Sequence, residues 1–140
     1  MKLSTADETW RLLLECYLAQ RPRVPAVAHQ YNLSPVQVHV LSLLEPGSPQ
    51  PMHAIAEKLA CDASNVTGII DRMEQRDLVQ RVDNPDDGRV KMLSLTKRGR
   101  TTRENVLADL YRAPERVAAL SKTEHQQLQA LLRKSLSREG

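Results

Sequence analysis

Apolar positions recur at helical spacing over most of the chain. Trp10, Leu13, Leu14, Tyr17 and Leu18 lie about one turn apart, and Thr5-x-x-Glu8 ahead of them has the form of a capping box. A first amphipathic helix is predicted there. Pro22 and Pro25 interrupt the next stretch, where a break or an irregular helix is expected. Ser34-Pro35-x-Gln37 is a sharp helix start: Ser caps, Pro suits the first helical position and Gln closes the box. Val36, Val40, Leu41 and Leu44 form the apolar face that follows, and Pro46-Gly47-Ser48-Pro49-Gln50-Pro51 ends the helix in a loop. Met52, Ile55, Ala56 and Leu59 mark a short third helix. Ala60-Cys61-Asp62 leaves room only for a tight turn, with Asp62 placed to cap a fourth helix. Its buried stripe is Val66, Ile69, Ile70 and Met73, an i, i+3, i+4, i+7 set. Two short helices about such a turn make a helix-turn-helix candidate.

The pattern then changes. Leu78-Val79-Gln80-Arg81-Val82 reads as a short strand, Asn84-Pro85-Asp86-Asp87-Gly88 as a dense turn signal, and Arg89 through Leu95 as a returning strand with Leu93 and Leu95 on one face. A hairpin directly after a helix-turn-helix is a wing. Thr96 is placed to cap a fifth helix striped by Val106, Leu107, Leu110 and Tyr111, which Pro114 should kink or end. Ser121-x-x-Glu124 is another capping box, before a last helix striped by Leu128, Leu131, Leu132 and Leu136. The predicted fold is mainly α: six helices and a small β-hairpin wing.

Composition narrows this picture. A length of 140 residues fits one domain, with 41% apolar and 26% charged residues. Aromatics are 3% and Phe is absent, so the core must be built from Leu, Val, Ile and Ala. No apolar run approaches the ~20 residues of a membrane span, and the first residues have no signal-peptide hydrophobic region. A cytoplasmic location is expected. Cys16 and Cys61 are the only cysteines and read as reduced thiols. The net charge of +3 and pI of about 9.1 permit a nucleic-acid partner without requiring one.

Local chemistry is more informative. With its apolar stripe turned inward, the fourth helix shows Ser64, Asn65, Gly68, Arg72 and Gln75 outward, with Thr67 at the edge. Small hydroxyls and amides suit base edges in a major groove, and Asn or Gln can pair bidentately with adenine. Gly68 allows close backbone approach, and Arg72 can hold a phosphate. The same face on an isolated helix would read simply as solvated. From Gly88 to Arg103 there are six basic residues and no acid: Arg89, Lys91, Lys97, Arg98, Arg100 and Arg103. Such an excess attracts a phosphate backbone. Arg89, just past the hairpin tip, suits a narrow minor groove, and Asp87 is placed to brace it. The plainer alternative is a solvated hairpin with a weak surface ion pair.

Together these residues resemble the MarR family of bacterial transcriptional regulators. Asp87-Gly88-Arg89, then Leu93-Ser94-Leu95-Thr96 and Lys97-Arg98-Gly99-Arg100, resembles that family's wing and the helix start after it. Asp62-Ala63-Ser64-Asn65-Val66-Thr67, Ile70-Asp71-Arg72-Met73-Glu74 and Leu78-Val79 resemble its recognition helix and exit. The resemblance runs over residues 33–100. It implies one MarR-type domain over residues 1–140, with residues 1–32 and 97–140 as a helical dimerisation region and 33–96 as the winged helix-turn-helix lobe. It further implies an interlocked two-fold homodimer on a pseudo-palindromic operator, and a repressor released by a small phenolic or drug-like effector. Ser64, Asn65, Thr67, Gly68 and Arg72 would contact the major groove. Arg89 would enter the minor groove with Asp87 positioning it, and Lys91 would join the DNA-binding set. Ala60-Cys61 departs from the family, where Gly is common in the turn.

Other chemistries find less support. Cys16 in the first helix suggests a thiol-based oxidant sensor, yet one turn away lie Leu12, Leu13, Ala19 and Gln20, none basic, and a packed, inert thiol is expected instead. His29, His39, His53 and His125 are dispersed and form no ligand pair, so no metal is expected. Glycine-rich phosphate loops, nucleophile elbows and paired carboxylates are missing, so neither an enzyme nor a bound cofactor is expected. A winged-helix protein-interaction module would put an apolar or acidic face where Ser64, Asn65 and Arg72 stand. An RNA-binding module would carry stacking aromatics.

Overall fold

The computed structural model describes residues 1–60 and 63–137, the side chains of Ala63 and Ser64 excepted. The Asp62 cap, Cys61 and the Ser64 side chain therefore lie outside the described residues. The chain forms two compact units, one through Leu110 and one from Tyr111 onward.

The first unit begins with α1 (Thr5–Ala19). Its cap sits one residue earlier than the sequence pattern placed it. Ser4 is extended, its hydroxyl accepts from the Asp7 amide, and the Asp7 carboxylate answers the Ser4 backbone. Thr5 is already helical, so Glu8 turns instead to Arg11, 2.6 Å away. The stretch where a break or an irregular helix was expected forms a short helix, α2 (Arg23–Gln30). Pro25 is tolerated because it sits in the first turn, where its missing N–H has no intrahelical partner. Then come α3 (Pro35–Leu43), started by the expected Ser34–Gln37 capping box, and α4 (Met52–Leu59). Ala60 closes α4 in the left-handed region (φ 51°), which costs a residue with a Cβ some steric strain.

Helix α5 (Ala63–Gln75) buries the predicted stripe: Val66, Ile70 and Met73 are almost wholly enclosed and Ile69 nearly so. Strands β2 (Val79–Asp83) and β3 (Lys91–Leu95) form the hairpin, with Val79 opposite Leu95 and Asp83 opposite Lys91. A third strand was not anticipated. β1 (Gln50–Pro51), read from sequence as loop, pairs antiparallel with β3 and gives the order β1-β3-β2. Its pairing partner lies some forty residues onward, and Pro51 is acceptable only because β1 is an edge. Leu93 and Leu95 point into the same core as α3, α4 and α5.

Thr96 caps α6 (Lys97–Tyr111) as expected, accepting from the Gly99 amide at 2.9 Å. Helix α6 ends before Pro114, which opens the short α7 (Glu115–Ala118). α8 (Lys122–Leu136) starts with the Ser121–Glu124 capping box. The six predicted helices are thus joined by two short ones, α2 and α7. Neither α1 nor α8 buries a residue: Trp10 and Leu131 are each 64% exposed, and Tyr17 and Leu136 are exposed as well. Cys16, expected to be packed, is exposed. Among the described residues no helix is long and apolar enough to cross a membrane.

Candidate nucleic-acid interface

The face of α5 opposite its buried stripe carries exposed Asn65, Thr67, Arg72 and Gln75 and half-buried Gly68. A Cβ built on Gly68 meets nothing within 4 Å, so the fold does not require glycine there. Arg72 makes no ion pair among the described residues. Asp71, quoted in the motif but not placed on this face, stands three residues after Gly68 and four before Gln75, in the same row, with its side chain 51% exposed.

The exit of α5 is tightly built. Asp77 turns left-handed (φ 56°), and the Leu78 and Asp77 amides donate back to the Met73 and Glu74 carbonyls. The Thr96 hydroxyl donates to the Asp77 carbonyl at 2.5 Å, and the Thr96 amide donates to Leu78. A Cβ on Gly99 would lie 1.8 Å from the Leu78 carbonyl oxygen, so only glycine lets α6 pass this closely. Recognition helix, wing and α6 are thereby joined at one point.

The wing tip is ordered by its own side chains. The Asn84 side chain accepts from the Asp86 amide at 2.9 Å. The Asp87 carboxylate accepts from the Arg89 amide at 3.1 Å and from its guanidinium at 3.3 Å. Arg89 nevertheless stays 94% exposed. The expected bracing contact is present, and the arginine projects from the turn.

The basic stretch divides in space. Lys97, Arg98 and Arg100 are exposed on the first turns of α6, where no acid accompanies them. Cations there oppose the helix dipole, a local conflict of the kind found at functional surfaces. Arg103 is not part of this surface. Its side chain is 14% exposed, donating to the Leu41 carbonyl at 3.0 Å and to Glu45 at 2.9 Å. Lys91 pairs with Asp83, its partner across the hairpin. The sequence window held no acid, but folding brings acids in from outside it. Arg76 is structural too, donating to the backbone carbonyls of Tyr31 and Asn32. Among the described residues no group of three or more His, Cys, Asp or Glu is placed to hold a metal.

A helix-turn-helix pair followed by a hairpin with a braced arginine defines a winged helix-turn-helix protein. Residues 33–91 match the profile of the MarR family. The HTH-type transcriptional regulator MgrA of Staphylococcus aureus is 34% identical over 111 residues, which cover 77% of this chain and 73% of MgrA. The HTH-type transcriptional regulator MhqR of Bacillus subtilis is 32% identical over 71 residues, 51% of this chain and 49% of MhqR; the match spans about half of that relative. Wild-type MarR from E. coli, in its apo form, superposes with a TM-score of 0.77 at 20% identity, covering 97% of this chain and 98% of that one. A mutant of S. aureus MepR bound to an oligodeoxyribonucleotide gives 0.64 at 22% identity, covering 96% and 98%. The chain belongs to the MarR family.

Proposed function

We propose that this chain is a sequence-specific, double-stranded-DNA-binding transcriptional regulator. It acts as a homodimer on a pseudo-palindromic operator, as a cytoplasmic repressor that a small phenolic or drug-like effector releases. It is not an enzyme. Residues 33–96 are the DNA-binding lobe; residues 1–32 and 97–140 form the dimerisation region of one domain. Asn65, Thr67 and Gly68, with Ser64, meet base edges in the major groove. Arg72 holds a phosphate, and Lys91, paired with Asp83 but with more than half its side chain in solvent, lies beside the backbone. Arg89 enters the minor groove, held by Asp87.

The observation that carries this reading is the wing arginine. Arg89 keeps almost its whole side chain in solvent while Asp87 fixes its base. A weak, exposed ion pair contributes little to stability, so its geometry is better explained by what Arg89 reaches. The oligonucleotide-bound MepR structure supports the same reading, since the shared fold there holds DNA. Selection of bound sequences from a random duplex pool tests it. A two-fold symmetric consensus with half-sites about one helical turn apart is expected, with affinity falling steeply as salt rises. Arg89→Ala should weaken binding to that consensus by about 1–3 kcal/mol. No enrichment, or unchanged affinity of the variant, overturns the reading.

A further inference from the structure

We infer that Arg81 is a positioning residue for DNA binding: it neutralises two carboxylates that the recognition helix would otherwise present to the duplex. The inference rests on the DNA-binding reading above and concerns residues that reading does not use. Asp71 lies in the same row of α5 as Gly68 and Gln75, on the face turned away from the core, and half its side chain is in solvent. Glu74 follows three residues later, with 42% of its side chain exposed. Asp71 on the outward row and Glu74 on the exposed flank of the same helix are two carboxylates that repel phosphates, and Asp71 adjoins Arg72 in the sequence.

Arg81 answers both from β2. One guanidinium nitrogen donates to Asp71 at 2.7 Å and another to Glu74 at 2.8 Å. The Arg81 backbone amide donates to the second Glu74 oxygen at 3.1 Å. Arg81 is the least exposed of the three, at 25%. A planar fork with several fixed donors can serve two acids at once. This arginine is therefore spent on the protein's own acids. Its effect on DNA is independent of sequence, because it removes a repulsion and reads no base.

The test uses the full chain and two duplexes of equal length: the one selected by the wild type and an unrelated one. Arg81→Gln is expected to weaken binding to both by a similar factor, about tenfold. Adding Asp71→Asn and Glu74→Gln to that variant removes the exposed charges and is expected to restore affinity to within about threefold of wild type. Arg81→Lys keeps the charge but not the fork and is expected to lose clearly less than Arg81→Gln, which keeps the test usable if the glutamine variant folds poorly in thermal melts. The inference is overturned if Arg81→Gln binds as wild type or if its loss is confined to the selected duplex. It is equally overturned if the triple variant stays as weak as Arg81→Gln, or if Arg81→Lys loses tenfold. Wild-type protein that binds no duplex overturns the DNA-binding reading as well; wild-type binding with unaltered variants overturns this inference alone.

Discussion

Gly68 and Gly99 are both helical glycines, and their surroundings assign them opposite roles. Gly99 faces the Leu78 carbonyl oxygen, which an added Cβ would approach to 1.8 Å. Backbone on both sides leaves no flexible group to give way. Gly99→Ala should therefore destabilise the protein by about 3 kcal/mol, as severe overpacking does, seen as a lower denaturant midpoint. Gly68 has open space around it. In a helix interior Ala is favoured over Gly by about 1 kcal/mol, so Gly68→Ala should raise the denaturant midpoint. It should also weaken duplex binding, because the added methyl stands where a base edge is to approach. A stabilised variant that binds as well as wild type would refute close backbone approach at Gly68. The sequence singled out Gly68 for the groove. It gave no sign of Gly99's constraint, which depends on the Leu78 carbonyl, just ahead of β2 and about twenty residues back.

Among the elements, caps were the most legible feature. Ser34–Gln37 and Ser121–Glu124 form as the pattern predicts, because a cap is made by residues three apart. At α1 the expected Thr5–Glu8 box is replaced by one formed a residue earlier, by Ser4 with Asp7. In α8 the Ser121 backbone N–H, and then its hydroxyl, hold the Glu124 carboxyl below the ordinary glutamate range. A carboxyl with a depressed folded-state value contributes stability above its unfolded value and loses it as pH falls through the folded one. The start of α8 should thus be fully capped at neutral pH and fray as pH drops below the usual glutamate range. Site-resolved NMR titration would show this, and Ser121→Ala should move the Glu124 midpoint upward. Two elements escaped the pattern. β1 is too short to have a periodicity, and α2 was masked by prolines that a first turn accepts.

At the scale of the whole molecule, the unanswered apolar surface matters most. Trp10, Tyr17 and Leu18 on α1, and Leu131 and Leu136 on α8, are exposed in the single chain, although their helical spacing gives each helix an apolar stripe. Both statements hold together if a second copy covers these faces. Sedimentation at micromolar concentration should give a dimer. Leu131→Asp, an exposed position in the lone chain, should shift it toward monomer and weaken operator binding. A wild-type monomer in that experiment would rule out the two-fold arrangement.

Local chemistry alone determined much of this protein: the helical stripes, two of the three capping boxes, the turn at the wing, the outward face of α5 and the Asp87–Arg89 pair. Each depends on residues within about a turn of one another, where spacing dictates geometry. Tertiary structure decided the rest. It turned Arg103 inward to Leu41 and Glu45, paired Lys91 with Asp83, brought Arg81 onto Asp71 and Glu74, and made Gly99 indispensable. A charge counted along the chain says nothing about the acids that folding sets beside it. That is why the basic stretch was visible from the sequence, and why only the structure shows that Arg89, Lys97, Arg98 and Arg100 remain facing outward.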